Sequence, residues 1–258
     1  MMITSRENKI FKKAMLLKTS KGRHDEGMFI VEGVRSVRDT ILKGAKLFCV
    51  IEKDGVKTDI EYNCPVYTFA PKLYDSVSET VSSQGVIALV YMKKCTLGDI
   101  IKEKRDCVIM CEALQDPGNI GTVIRTAHAA SAAGVVLTKG CCDLYNSKII
   151  RSTMSSMLSI PVVQNADPKE TMQFFKKNGY ASLCGALTDD AVNFYDADLT
   201  GKHLIIIGNE GNGVAKDTLS VCDKVLKIPM QSDAESLNAA VAGSIMIYEH
   251  YRQNIKNL

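Results

Sequence analysis

Residues 228–242 read IPMQSDAESLNAAVA. An apolar strand end, Val225, Leu226 and Ile228, meets Pro229, crosses a polar turn at Gln231, Ser232 and Asp233, and enters a helix expected from Glu235 to about Arg252. A strand that stops at proline and hands over to a polar helix start leaves backbone N–H and C=O groups unpaired around a hollow. Such a place suits a small ligand held by backbone, with Ser236 and Asn238 at its rim. An ordinary strand–turn–helix has the same sequence, so the stretches upstream decide between the two.

Working back from it, the chain alternates apolar strands with helices. HLIII at 203–207 runs into a glycine-rich loop, YASLCGAL, IPVVQ, GVVLT and CVIMC are further strands, and helices are expected at 119–134, 147–157, 168–178 and 214–220. Strands as uniformly apolar as LIII and GVVL fit a parallel sheet covered on both faces. A smaller α/β series precedes it, with strands MFIVE, LFCVIE, PVYTF and GVIALVYM and helices from Val34 and Pro71. Residues 8–18 read as a basic amphipathic helix and residues 19–27 as a polar turn. The expected organisation is a domain over 1–95, a charged, helical connection over 96–105 and a second α/β domain over 106–258.

The chain of 258 residues is 46% hydrophobic and 24% charged, ordinary for a globular protein. Its formal net charge is only +3, yet the stretch from Thr4 to His24 sets seven lysines and arginines against Glu7 alone. The basic character is therefore local. No run approaches the roughly 18 apolar residues of a membrane span, and the N-terminus lacks the apolar centre of a secretory signal. Nine cysteines, several inside apolar runs, form no C-x-x-C pair and stand at no metal-ligand spacing from a histidine. Free buried thiols in a reducing cytoplasm are the expectation, with neither membrane nor metal involved.

In a parallel sheet ligands collect beyond the carboxyl ends of the strands. Two further unusual segments fall at such ends. Asp116-Pro117-Gly118-Asn119-Ile120-Gly121 follows CVIMC, with Asn119 a good helix N-cap and Arg125 a lone charge on a helix otherwise of small and apolar residues. An arginine there is either solvated or reaches for a carboxylate or phosphate, which its fork suits. Gly208-Asn209-Glu210-Gly211-Asn212-Gly213 follows LIII. Its G-x-x-G-x-G order is neither the G-x-G-x-x-G of a dinucleotide-binding oxidoreductase nor a P-loop, and by itself it is compatible with a plain turn.

Together NIGTVIRTA, IIIGNEGNGV and IPMQSDAESLNAAVA resemble the three ordered motifs of the SpoU (TrmH) RNA 2′-O-ribose methyltransferases, of the SPOUT superfamily. The likeness covers Asp106 to about Tyr251, with Ser232 and Asp233 standing where the family often has glycine. FIVEGVRSV resembles part of the small RNA-binding domain that many members carry. The resemblance implies an α/β catalytic domain with a parallel sheet and a C-terminal trefoil knot, preceded by a small α/β domain that binds substrate RNA. It implies S-adenosyl-L-methionine as methyl donor, contacted by Leu187, Gly208, Ile228, Met230 and Leu237. Asn119, Arg125, Glu210, Ser236 and Asn238 would form the catalytic group, and His128 is a second proton acceptor to consider. An arginine pKa above about 12 makes a general base awkward, so Arg125 is expected to hold phosphate and stabilise a developing alkoxide.

Members are dimers with sites near the subunit interface, so a cytoplasmic homodimer is expected, meeting through the last helix and the Asn119 helix. Arg6, Lys9, Lys12, Lys13, Lys21, Arg23 and Arg35 are the candidate RNA contacts, sensitive to salt and indifferent to sequence. Structured RNA is expected, ribosomal RNA before transfer RNA. A catalytically silent RNA-binding or ribosome-assembly factor is the other reading left open.

Overall fold

In the computed structural model, residues 2–188, 190–231 and 236–255 are described, and they fall into two compact units. One holds the residues up to Lys93 together with Tyr145–Leu158, and the other holds Lys94–Leu144 together with the residues from Ser159 on.

The first unit is built on a five-stranded sheet of β1 (Met2–Ile3), β2 (Met28–Glu32), β3 (Leu47–Lys53), β4 (Val66–Phe69) and β5 (Val86–Tyr91), in the order β1-β4-β3-β5-β2. β1, β4 and β3 run parallel, and β5 is antiparallel to both its neighbours. Four helices belong to its continuous part: α1 (Lys9–Leu16), α2 (Ser20–Glu26), α3 (Val34–Leu42) and α4 (Pro71–Val77). Phe11, Ala14 and Leu17 from the first helical stretch pack with Ile51, Phe69, Tyr74 and Leu89 in one core.

Residues 19–27, expected as a turn, are helical instead. The Thr19 hydroxyl accepts from Gly22 N at the N-terminus, and Gly27 ends the helix in the left-handed region at φ 63°. Gly22 lets α2 lie against the end of α1, because a Cβ there would stand 2.0 Å from the Leu16 carbonyl oxygen. At the end of β2 the Glu32 carboxylate accepts from the hydroxyls of Ser78, Thr80 and Ser83 and from Glu79 N, fixing the loop ahead of β5.

The second unit carries α5 (Leu97–Lys102), α6 (Pro117–Ala129), α8 (Pro168–Lys177), α9 (Lys216–Val221) and α10 (Ala239–Asn254), while α7 (Ser147–Ser152) belongs to the first. Its seven strands are β6 (Cys107–Cys111), β7 (Gly134–Thr138), β8 (Val162–Ala166), β9 (Ala181–Gly185), β10 (Val192–Asn193), β11 (His203–Ile207) and β12 (Lys224–Lys227). They lie in the order β10-β12-β9-β11-β6-β7-β8 and every pair is parallel. β6, β7 and β11 are buried throughout, the double burial expected of a covered parallel sheet.

Two boundaries differ from expectation. Residues 96–105, expected as a connection, begin with a Thr96–Asp99 capping box and bury Ile100 in the core of the second unit. Residues 145–158, inside the expected second domain, belong to the first unit, where the rings of Tyr145 and Phe29 lie 4.7 Å apart. The last helix also starts later than Glu235. Asn238 caps it, its Oδ1 accepting from Ala240 N at 2.9 Å and Val241 N at 3.2 Å. Ser232 and Asp233, where the family often has glycine, lie outside the described residues.

Candidate functional site

Because the strands are parallel, their carboxyl ends share one edge of the sheet. Ile207 of β11 pairs with Cys111 of β6, so the loops that follow them leave at the same level. The three sequence segments singled out emerge here, and hydrogen bonds tie them together.

The segment after β6 enters α6 through Asp116, not Asn119. The Asp116 carboxylate accepts from Gly118 N and Asn119 N at 2.6 and 3.0 Å, with Pro117 at the first helical position. Proline is preorganised for that place and needs no N–H partner, so the acid before it caps the helix. Asn119 is thereby freed to use its side chain across the site. Its Nδ2 donates to Glu210 Oε1 at 3.0 Å, and its Oδ1 accepts from Asn238 Nδ2 at 3.0 Å.

Glu210 sits in the glycine loop and binds back to the first segment. Its carboxylate accepts from Asp116 N at 2.9 Å and Gln115 N at 3.1 Å besides Asn119. Partial burial pushes this carboxyl up, but the backbone N–H of Asp116 and the Asn119 amide outweigh it and hold the carboxyl below its usual range. The loop itself is closed by paired backbone bonds between Asn209 and Gly213, each 2.9 Å. Asn209 Oδ1 accepts from Gly211 N and Asn212 N, and its Nδ2 donates to Ala113 O at 2.8 Å. Gly208 has no space for a side chain: a Cβ would fall 2.1 Å from the Gly213 carbonyl carbon. Gly213, at φ 67°, takes the backbone conformation that glycine adopts freely.

Behind these loops lies a cavity of about 420 Å³, within the range of small-molecule sites. Leu187, Gly208, Glu210, Ile228, Met230, Ser236 and Leu237 all line it, so the five expected donor contacts and two of the expected catalytic residues surround one hollow. Ala242, Gly243 and Met246 of α10 form another side. Gly243 allows this, since a Cβ there would stand 2.3 Å from Ile207 Cδ1. Among the small residues of α10, this glycine therefore serves a contact within the chain.

Sequence reading missed several contributors. Asn209 is legible afterwards as the Asx-turn residue of a glycine loop. Glu112, an acid at the end of an apolar strand, accepts from Ala215 N at 2.9 Å and from the Thr218 hydroxyl, and so fixes the segment after the glycine loop. Ser236, expected at the rim, is in the cavity lining, while Asn238 caps the helix.

Arg125 is not at the cavity of its own chain. It is exposed on α6, in a stripe with Thr122 and Ala129, while Thr126 beside it bonds Ser244 of α10 at 3.1 Å. Arg23 also departs from expectation. It is buried, its guanidinium donating to the carbonyls of Leu17 and Lys18, so it holds the α1–α2 corner and is withheld from a phosphate. Lys12 pairs with Glu7 and Lys13 with Glu26, leaving Arg6, Lys9, Lys21 and Arg35 as exposed expected cations. Among the described residues, no helix is long and apolar enough to cross a membrane, and no three His, Cys, Asp or Glu are grouped to hold a metal ion.

Comparison with known proteins agrees with this geometry. Residues 8–88 match the MRM3-like substrate binding domain, and residues 106–248 match the SpoU rRNA Methylase family. The chain is 32% identical, over 95% of its length and 97% of the relative's, to the 23S rRNA (guanosine(2553)-2′-O)-methyltransferase RlmP of Bacillus subtilis (strain 168). It is 30% identical to a 23S rRNA (uridine(2479)-2′-O)-methyltransferase of Streptomyces viridochromogenes, covering 98% of this chain and 92% of that one. The crystal structure of the SpoU methyltransferase AviRb from Streptomyces viridochromogenes, in complex with the cofactor AdoMet, superposes with a TM-score of 0.84 at 28% identity, over 97% of this chain and 100% of that one. With more than half of its residues inside the family match and this likeness over nearly its whole length, the chain belongs to the SpoU rRNA methylase family.

Proposed function

We propose that this chain transfers a methyl group from S-adenosylmethionine to a ribose 2′-hydroxyl of structured ribosomal RNA, as a cytoplasmic homodimer with the knotted catalytic domain of its family. The observation that carries the reading is the hydrogen-bonded row Asn238–Asn119–Glu210, which joins all three loops beside the cavity.

The residues present fit the donor. Gly208, tight against Gly213, brings bare backbone to the cavity wall, and Ile228, Leu226, Leu237 and Met246 supply apolar surface for an adenine. When bound there, S-adenosylmethionine supplies an electrophilic methyl on a sulfonium. The protein must then orient the hydroxyl and ease loss of its proton, because a neutral hydroxyl is a weak nucleophile. Asn119 and Asn238 hold the loops in register, Glu210 fixes the glycine loop, and Ser236 lines the cavity. Arg125 fits the charge-stabilising role only if a second protomer supplies it. The exposed Val241 and Tyr248, one helical face of α10 beside α6, support such a contact.

Arg6, Lys9, Lys21 and Arg35 are the exposed cations proposed to contact RNA phosphates, together with Lys12 and Lys13 once their ion pairs open. Ribosomal RNA is favoured because the two relatives named above act on 23S rRNA. Nine free cysteines are in keeping with a reducing compartment. Mapping ribose methylation in ribosomal and transfer RNA from cells with and without the gene tests the reading. One ribosomal position losing its methyl is expected, and an unchanged ribosomal map with a changed transfer RNA map would overturn the substrate assignment.

A further inference from the structure

Two segments exchange glutamates where β6 and β11 end. Glu210 reaches from the glycine loop to the backbone of Gln115 and Asp116, and Glu112 reaches from the end of β6 to the far side of that loop. Glu112 is 6% exposed, and its carboxylate accepts from Ala215 N at 2.9 Å on one oxygen and from the Thr218 hydroxyl on the other. Among the described residues no lysine or arginine pairs with it. Burying an acid without a cation is costly, and an apolar side chain in that place would avoid the cost. What the carboxylate supplies is one acceptor oxygen for each of two converging donors. A glutamine offers one oxygen and turns its NH2 toward the second donor.

Each residue that Glu112 holds is the chain neighbour of a cavity wall. Val214, before Ala215, and Leu219, after Thr218, both line the cavity, and Glu112 itself stands outside the lining. Val214 in turn lies against Gly208, where a Cβ would stand 2.2 Å from Val214 N. Glu112 is anchored in its own right, since its backbone N donates to Ile207 O at 2.8 Å. At the other end of the loop Asn209 Nδ2 holds Ala113 O, and Glu210 holds Gln115 and Asp116. Residues 112–116 therefore grip the glycine loop at both ends.

We propose that Glu112 is a positioning residue that touches no ligand and sets the affinity for S-adenosylmethionine by holding the glycine-loop wall of the cavity in its binding shape. This rests on the donor site proposed above. With the bonds broken, Val214 and Leu219 leave that shape in part of the molecules, and apparent affinity falls by the fraction whose wall is in place. The row Asn238–Asn119–Glu210 keeps its own hydrogen bonds. The loss therefore falls on donor binding and spares the chemical step.

The test uses the full-length protein, with S-adenosylhomocysteine as probe in titration calorimetry well below the melting temperature. Glu112→Gln keeps size and shape, and its affinity should fall about five- to ten-fold. The donor KM should rise by a similar factor while kcat at saturating donor stays within about three-fold. Thr218→Val breaks one of the two bonds from the other side, keeps the shape, and carries the test should glutamine disturb folding. Its affinity should fall about three- to five-fold. The two changes combined should weaken binding by less than the product of their separate effects, because both break one contact. A glutamate with a structural role alone would lower the melting temperature of Glu112→Gln and leave affinity and donor KM at their natural values, and that result overturns the proposal. So does a fall in kcat with donor KM unchanged. Were the natural protein itself not to bind the probe, the donor site would fail, a result distinct from normal binding that is indifferent to residue 112.

Discussion

Both ends of the Asn119 amide are engaged, Nδ2 with Glu210 and Oδ1 with Asn238. Asn119→Ala leaves two polar partners without their bond, at about 1–2 kcal/mol. Asn119→Asp is isosteric yet turns a carboxylate toward Glu210, so it should destabilise more than alanine does. Chemical denaturation measures both, and methyl transfer should fall at least about ten-fold in each, as a misplaced reacting loop costs rate. Asn119→Ala and Asn238→Ala break one shared contact, so their effects should be markedly less than additive.

Glu210 gives the pH arm at the same scale. Its carboxyl is held below the usual range, so its stabilising contribution is present above the unfolded carboxylate value of about 4.3 and is lost as pH falls through the lower folded value. Glu210→Gln lacks that contribution at neutral pH already, and its melting temperature should decline less steeply on the acid side. Equal slopes would mean that the carboxylate bonds contribute nothing to stability.

At the scale of elements, close approaches decide the structure. Gly22→Ala sets a Cβ against the Leu16 carbonyl, a rigid backbone atom. It should cost about 2–3 kcal/mol despite alanine's better helix propensity, measured as a lowered melting temperature. The end of α10 is seated by a histidine pair. His203 Nδ1 and His250 Nε2 lie 3.2 and 3.1 Å from Gly201 O with their rings edge to face at 5.4 Å. Burial is the largest influence on both and lowers both values, with Asp106 and Asp198 opposing at His203 and Lys224 assisting. The folded pKa values lie below the unfolded one of about 6.5, so stability is full above that pH and declines as pH drops through the window beneath it. His250→Gln should flatten that part of the melting profile.

The same close approaches explain what was legible in the sequence. The apolar runs LIII and GVVL mark buried parallel strands through their composition alone, and the three loops were found because strand ends followed by glycine, proline and asparagine are unusual. α2 was not legible, because its polar residues show no apolar period and its stability depends on Gly22 meeting α1. Asn119 was assigned the cap that Asp116 holds, since both suit that position and only Pro117 decides between them. The two-residue strands β1 and β10 carry no periodicity, and exist because β4 and β12 offer them an edge.

For the whole molecule, the cavity and Arg125 lie apart in one chain, and the role proposed for Arg125 requires a second protomer to bring them together. No sequence signal reveals this, since the exposed stripe lies on α6 and the helical wall of the cavity on α10, far apart in the chain. If the arginine comes from a second protomer, two inactive variants should restore one another. Arg125→Ala removes the guanidinium and spares the cavity, whereas Leu237→Arg obstructs the cavity and spares the guanidinium. In a mixed dimer one site receives an open cavity and an intact Arg125, and the other receives neither. Random pairing puts half of the protomers in mixed dimers, so methyl transfer should recover to roughly a quarter of the wild-type rate. The recovery should need refolding or subunit exchange, because mixed dimers form only when protomers separate. Activity that stays at the sum of the two separate variants would place Arg125 at a site within its own chain, or outside the reaction altogether, and the exposed face of Val241 and Tyr248 would then lose its assignment as the contact that completes the site.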